Sequence, residues 1–165
     1  MLLLQKGVKT MLVRPAEPDD LEAWRDVARE VALLFDSPTM ADDRDFLDFA
    51  QRKIRQSEAL VAVEGEERFC VGFLGFSHQN NRISWLAVRQ GWRGHGAGGL
   101  LLDAALRSLD RTRPVTVITF YADHPGGGPA RQLYLSRGFV EEQGEMTDEL
   151  GKGRCRMVLP PTSEV

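Results

Sequence analysis

Arg89-Gln90-Gly91-Trp92-Arg93-Gly94-His95-Gly96-Ala97-Gly98-Gly99 is the stretch on which the reading of this chain turns. Before it, Ile83 to Val88 has the apolar and β-branched character of a strand. After it, Ala97, Leu100, Leu101, Ala104 and Ala105 recur at helical spacing. The glycines at 91, 94, 96, 98 and 99 thus fall at a strand-to-helix junction. Amides free of bulky side chains at a helix N-terminus, where N–H groups lack intrahelical partners, make a cradle for phosphate oxygens. Arg93 adds formal charge, and His95 within the turn suits phosphate better than catalysis. The expected ligand of Arg93, Gly94, His95, Gly96, Ala97, Gly98 and Gly99 is a diphosphate or similar anion.

Outward from this turn the pattern alternates between two periods. Leu12 to Arg14 opens as a strand. Leu21, Trp24, Val27, Ala28, Val31, Leu34 and Phe35 then lie on one helical face, and Phe46, Phe49, Ala50 and Ile54 on another, in a helix over about Ala41 to Gln56. Ala59 to Val63, Phe69 to Ser77 and Ile83 to Val88 read as an antiparallel meander with polar turns between them. Val115 to Ala122 is a strand, and Ala130 to Arg137 a short helix with Pro129 at its start and Gly138 at its close. Phe139 to Met146 and Arg154 to Leu159 complete the series as strands. One βαβ crossover among meandering strands predicts an α/β (α+β) domain with a mixed, mostly antiparallel central sheet of about seven strands and about four helices.

Composition narrows the functional classes. A length of 165 residues fits one domain, read as 11–165 with residues 1–10 as an N-terminal extension before a second methionine. The hydrophobic share of 42% and charged share of 27% suit a packed core. A net charge of −3 gives no basic footprint for nucleic acid or an anionic membrane. Cys70 and Cys155 lack the spacing of a zinc or redox pair, so no metal is expected and a reducing cytoplasm is the natural setting. No apolar run approaches the roughly 20 residues of a membrane span, and a monomer and a homodimer both remain open.

Two templates fit the glycine turn. Gly94, Gly96 and Gly99 satisfy G-x-G-x-x-G, with Asp123 after the next strand in the place of a ribose-binding acid, as an NAD(P)-binding oxidoreductase requires. That fold needs further parallel units, and only about forty residues follow Ala122. The alternative is Arg93-x-x-Gly96-x-Gly98, together with Ala130-Arg-Gln-Leu-Tyr-Leu-Ser-Arg-Gly-Phe139 and the opening Arg14-Pro15-Ala16-x-Pro18-x-Asp20. In these segments the chain resembles the GNAT-type N-acetyltransferase superfamily over about residues 11 to 159. The resemblance implies that the glycine turn cradles the pyrophosphate of acetyl-CoA, that Leu86, Ala87 and Val88 hold the pantetheine arm and offer an oxyanion donor, and that Ala130 borders the cofactor. An asparagine often stands seven residues before the motif tyrosine in that family. Gly127 occupies the place, which leaves the loop His124 to Pro129 to support the cofactor through backbone.

The chemistry so implied is acyl transfer from a thioester to a primary amine by direct attack in a ternary complex. An alkyl ammonium of pKa near 10.4 must lose its proton first, and the thiolate must gain one. Tyr134, whose phenol stays protonated at neutral pH, is the candidate acid. No carboxylate lies on Ile83 to Val88, so His78 and His124 are the candidate bases, with Ser84 able only to order a water. The acceptor is a small amine or a protein amino group, met by the segment Leu34 to Met40 and the final strands. The acidic residues Asp36, Asp42, Asp43, Asp45 and Asp48 either attract a cationic amine or simply solvate a helix start. The rival class is a CoA or acyl-CoA sensor that has no turnover.

Overall fold

Alternating apolar residues build the sheet strand by strand. The computed structural model describes residues 10–35, 37–120, 124, 127–142, 146–147 and 153–163. Strands β1 (Met11–Pro15), β2 (Ala59–Glu64), β3 (Phe69–Ser77) and β4 (Arg82–Val88) run antiparallel in sequence. Strand β5 (Val115–Phe120) lies parallel to β4, and the two-residue strands β6 (Val140–Glu141) and β7 (Met146–Thr147) both pair with β8 (Gly153–Leu159). The resulting order is β1-β2-β3-β4-β5-β8-β6. Helices α1 (Leu21–Val31) and α2 (Arg44–Arg55) cover one face, and α3 (Ala97–Ser108) and α4 (Gly128–Ser136) the other. Because side chains alternate along a strand, Val61 and Val63 pack with α1 and α2 while Leu60 and Ala62 pack with α3.

Each cluster has a physical anchor. Trp24 of α1 is fully buried and stacks on Phe73 of β3 with ring centroids 5.1 Å apart and planes 5° off parallel. Phe46 of α2 meets the same indole edge-on at 6.3 Å, so one tryptophan fixes both helices against the meander. On the other face Leu101, Leu102 and Ala105 of α3 lie with Leu74, Val117 and Met157.

Helix α1 stops at Val31, short of the Phe35 that periodicity predicts. The Phe35 N–H bonds the Val31 carbonyl at 3.2 Å and the Ser37 N–H bonds Ala32 at 3.0 Å, a turn that carries Leu34 and Phe35 away from the helix axis. Helix α2 begins at Arg44 rather than Ala41, because the Asp43 carboxylate caps it by accepting the Asp45 N–H at 2.9 Å. Asp42 pairs with Arg25 at 3.2 Å, and Asp48 approaches Arg44 at 4.0 Å, so these acids serve the helix start and its neighbours. Of the expected strand from Phe139 to Met146, the described residues show Val140–Glu141 and Met146–Thr147 as strand, and Gly138, at φ +91°, turns Phe139 into the core instead, while residues 143–145 lie outside the described residues. Tyr121, Ala122, Asp123, residues 1–9 and Asp36 lie outside the described residues.

Asn81 ties the two halves of the sheet together. Its side chain is buried, donates to the carbonyls of Asp110 at 2.8 Å and Pro114 at 2.9 Å, and accepts the Asp110 N–H at 2.9 Å. Its own carbonyl accepts the Thr116 N–H at 3.2 Å, which starts the pairing of β4 with β5. Asn81→Ala removes three bonds and places alanine at φ 49°. The expected loss is about 2–4 kcal/mol, measured as a lower denaturant midpoint at unchanged slope.

A second polar anchor makes stability depend on pH. Arg14 donates to both Asp20 oxygens at 2.7 and 3.0 Å, and the Glu17 N–H adds a third bond at 2.7 Å. Burial by itself would raise the Asp20 pKa, but the Arg14 and Glu17 hydrogen bonds outweigh it and hold the carboxyl below its usual range. The folded pKa is the depressed one, so the stabilisation is complete above the unfolded value of about 3.9 and is lost as pH falls through the folded value. Asp20→Asn is therefore expected to lower the melting temperature at pH 7, with the gap to wild type narrowing below about pH 4.

Candidate active site

The parallel pairing of β4 and β5 lasts for two register positions, Arg82 with Thr116 and Ile83 with Val117. Beyond them β4 runs on to Val88 and β5 to Phe120 unpaired with each other. A bulge at the point of parting sets the geometry: Phe76 faces Ile83 and Gly75 faces Trp85, which makes Ser84 the extra residue. The Arg89 N–H bonds Val71 of β3 at 2.8 Å and the Ala87 carbonyl also faces β3, beside Gly72. Alternation along the strand then places the N–H groups of Leu86 and Val88 on the edge that β5 has left.

A cavity of about 260 Å³ fills the gap. Leu86, Ala87 and Val88 form one wall, Phe120 another, Gly94, Gly96, Ala97, Gly98 and Gly99 the floor, and Ala130 and Leu133 of α4 the far side. Val31, Leu34 and Phe35 close it from the α1 side. Arg93 is the one charged side chain among the described lining residues.

The glycines of the turn divide into two tasks. Gly96 is the N-cap of α3 at φ +89°, a conformation that L side chains resist, and Gly94 has φ +79°. The first intrahelical bond is Leu100 N–H to Gly96 carbonyl at 3.0 Å. The N–H groups of Ala97, Gly98 and Gly99 are therefore left at the helix end with its partial positive charge. Gly98 and Gly99 serve a different purpose, which phosphate access does not require: a Cβ would lie 3.2 Å from Leu133 at the first and 2.6 Å from the Arg137 guanidinium at the second. Their smallness lets α4 pack on the first turn of α3. Arg137 then clamps the pair by bonding both oxygens of Asp103 at 3.1 and 3.2 Å. The approach to the turn is also held, since Glu30 of α1 accepts Arg89 at 3.1 Å and the Gln90 N–H at 3.0 Å. Sequence reading passed over Glu30 and Arg137, as neither belongs to a pattern until the helices are in place.

Tyr134 lies on α4 immediately after the lining residue Leu133, buried against Phe139 at 5.4 Å. Burial pushes its phenol well above the ordinary value of 10.0, which keeps the hydroxyl a proton donor across the physiological range. Helix α4 is positioned by Arg131, whose buried guanidinium donates to the Phe120 carbonyl at 3.4 Å and to Glu141 at 2.8 Å.

The remaining expected residues separate. His124 stacks on Phe120 at 4.2 Å and so stands beside the cavity wall. His78 does not join it: this residue follows β3 at the hairpin where β4 begins, at the end opposite Leu86 to Val88. Its backbone N–H is held by Glu58 at 2.6 Å, next to the buried Lys53–Glu58 pair. Ser84 is beneath the bulge, not among the lining residues, and its Oγ has no hydrogen-bond partner among the described residues. The same holds for the buried Trp85 Nε1, on the next residue of the strand. His95 is exposed beside Trp92 at 6.3 Å. Asp123 of the dinucleotide alternative lies outside the described residues, and the strand order beside β5 is antiparallel rather than the continued parallel run that alternative needs.

Comparison with known proteins agrees with this geometry. Residues 39–158 match the family model of the acetyltransferase (GNAT) domain. No curated protein sequence matches the chain significantly. Among solved structures, a GNAT-family acetyltransferase from Bacillus cereus ATCC 10987 superposes with a TM-score of 0.68 at 15% identity, covering 93% of this chain and 99% of its own. Ard1 from Thermoplasma volcanium gives 0.70 at 19% identity, with 93% and 99% covered. A chain of the NatC complex, solved with a Gag peptide and CoA, gives 0.66 at 18% identity, with 92% and 99% covered. Among the described residues no helix is long and apolar enough to cross a membrane. The strand parting, the glycine-capped helix and the family match together make this chain a member of the GNAT acetyltransferase family.

Proposed function

We propose that the chain transfers an acetyl group from acetyl-CoA to a primary amine by direct attack in a ternary complex, the acceptor being a small amine or a protein amino group. The observation that carries this reading is the open edge of β4 facing a glycine-capped helix across one cavity. When bound, acetyl-CoA supplies the activated acyl group and a thiolate leaving group. The residues fit it: the N–H groups of Ala97, Gly98 and Gly99 and the side chain of Arg93 meet a diphosphate, and the unpaired edge of β4 meets an amide-bearing arm.

Each step then has a residue. The Leu86 and Val88 N–H groups donate to the oxyanion that forms when the amine attacks the carbonyl, in a pocket with little competing water. His124, on the Phe120 wall, takes the ammonium proton directly or through one water. Tyr134 gives a proton to the departing sulfur, a role for which its raised pKa keeps it charged with hydrogen. The sensor reading shares the same cavity and differs only in turnover, so release of free thiol in the presence of amines decides between them.

Acetyl-CoA at about 100 times its dissociation constant is expected to stabilise the protein by roughly 2.7 kcal/mol, seen as a melting shift of about 5–10 °C, while NAD and NADP give none. Gly96→Val forces a β-branched residue into φ +89°, which strains the cap, and is expected to weaken acetyl-CoA binding at least about tenfold. Gly91→Ala, at a position open on all sides, serves as the unchanged control in the same titration. Tyr134→Phe is expected to lower kcat by about 100-fold with little change in acetyl-CoA affinity. Equal loss in both would remove the phenol from the acid role.

A further inference from the structure

The parting strands are bridged on the α1 side by one side chain. Phe35 stacks on Trp85 of β4 with centroids 5.7 Å apart and planes 8° off parallel, and meets Phe120 of β5 edge-on at 5.6 Å. Trp85 and Phe120 stand just beyond the last paired positions of their strands, so Phe35 spans the opening itself. The glycine turn, α3 and α4 occupy the other end of the cavity, where the diphosphate belongs. Phe35 therefore stands at the end of the cavity away from the diphosphate, on the side from which an acceptor can approach.

The three rings are not held alike. Trp85 is fixed from behind by Trp24 at 5.8 Å and Phe46 at 5.9 Å, and Phe120 is fixed at the end of β5 under the Arg154 guanidinium at 4.7 Å. Phe35 is half-buried on the connection after α1, outside any helix or strand. It is the one of the three not carried on a strand, and its displacement would uncover the Trp85 face on a strand whose Trp85 Nε1 and Ser84 Oγ lack partners among the described residues. The described lining residues include no carboxylate to hold an oligocation.

Resting on the acyl-transfer reading above, we propose that the acceptor is an amine carried on an aromatic ring, and that this ring takes the place of Phe35 on Trp85 beside Phe120. Phe35 is then an internal occupant of the acceptor site that the substrate displaces. Offset stacking in the geometry that Phe35 already shows favours an aryl over an alkyl group of like length by about three- to tenfold.

The test measures kcat/KM of the full chain, saturated with acetyl-CoA, for 2-phenylethylamine and hexylamine. The expected aryl preference of about three- to tenfold survives in Phe35→Ala and Trp85→Phe and collapses to near one in Trp85→Leu. A ratio near one in the wild type, or a ratio that survives Trp85→Leu and collapses in Phe35→Ala, overturns the proposal. In parallel, 2-phenylethylamine is titrated into the CoA-loaded protein and tryptophan fluorescence is followed. A saturable change that hexylamine does not produce supports the proposal even at low turnover, and its absence counts against it. The acetyl-CoA melting shift in the same samples separates the two levels. No shift overturns the acyl-transfer reading and this proposal with it, whereas a normal shift without aryl preference overturns this proposal alone.

Discussion

Everything in this fold follows from where β4 and β5 stop pairing. A parallel pair that ends after two positions leaves backbone N–H and C=O groups without the partners that a ladder supplies, and buried groups of that kind are costly. The gap persists because the strands are pinned at one end and wedged at the other. Asn81 binds the loop before β5 to the hairpin before β4, so the strands start together. At the far end the Ser84 bulge increases the local twist, and Phe35, Leu133 and Phe120 stand between the strands as an apolar filling. In the function proposed above, an amide-bearing ligand would complete the ladder that the chain leaves unfinished, which would couple the architecture directly to binding.

The glycine turn gains its meaning from the same opening. Without the parted strands, a left-handed Gly96 cap would be one more helix start. Facing the unpaired edge, it becomes the polar end of a cavity whose middle is apolar. The close packing of Leu133 and Arg137 on Gly98 and Gly99 adds a second constraint, because it brings α4, through Ala130 and Leu133, against the cleft. The glycines thus fix the position of α4 as well as the shape of the turn.

Much of this was legible in the chain itself. The meander, the helix after the glycine turn and the short helix carrying Tyr134 all follow from period and punctuation, because each buries one clean apolar face. The boundaries that failed have local causes: Leu34 and Phe35 continue the helical spacing of α1 yet leave it to fill the cleft, and Asp43 caps α2 later than its acidic neighbours suggest. The turn proposed to hold the cofactor stands out in the sequence because glycine and arginine carry their chemistry in the backbone and in formal charge. The proposed acceptor side was legible only in part: the connection Leu34 to Met40 reads as an acceptor segment, whereas Val31 and Phe120 are apolar residues that resemble any core until the parting of two strands gives them a surface. His78 shows the converse, a residue of suitable chemistry carried by the hairpin to the wrong end of its strand.

Burial also decides the division of proton chemistry across the cleft. A phenol in the core against Phe139 is disfavoured as an anion, so Tyr134 stays protonated across the physiological range. A strong base placed beside it would face the same desolvation and be neutralised. In the mechanism proposed above, acid and base occupy different environments: Tyr134 in the core behind α4, and His124 at the wetter margin against Phe120. The clamp that presses α4 onto α3 helps to bury the phenol, while His124 is half-exposed.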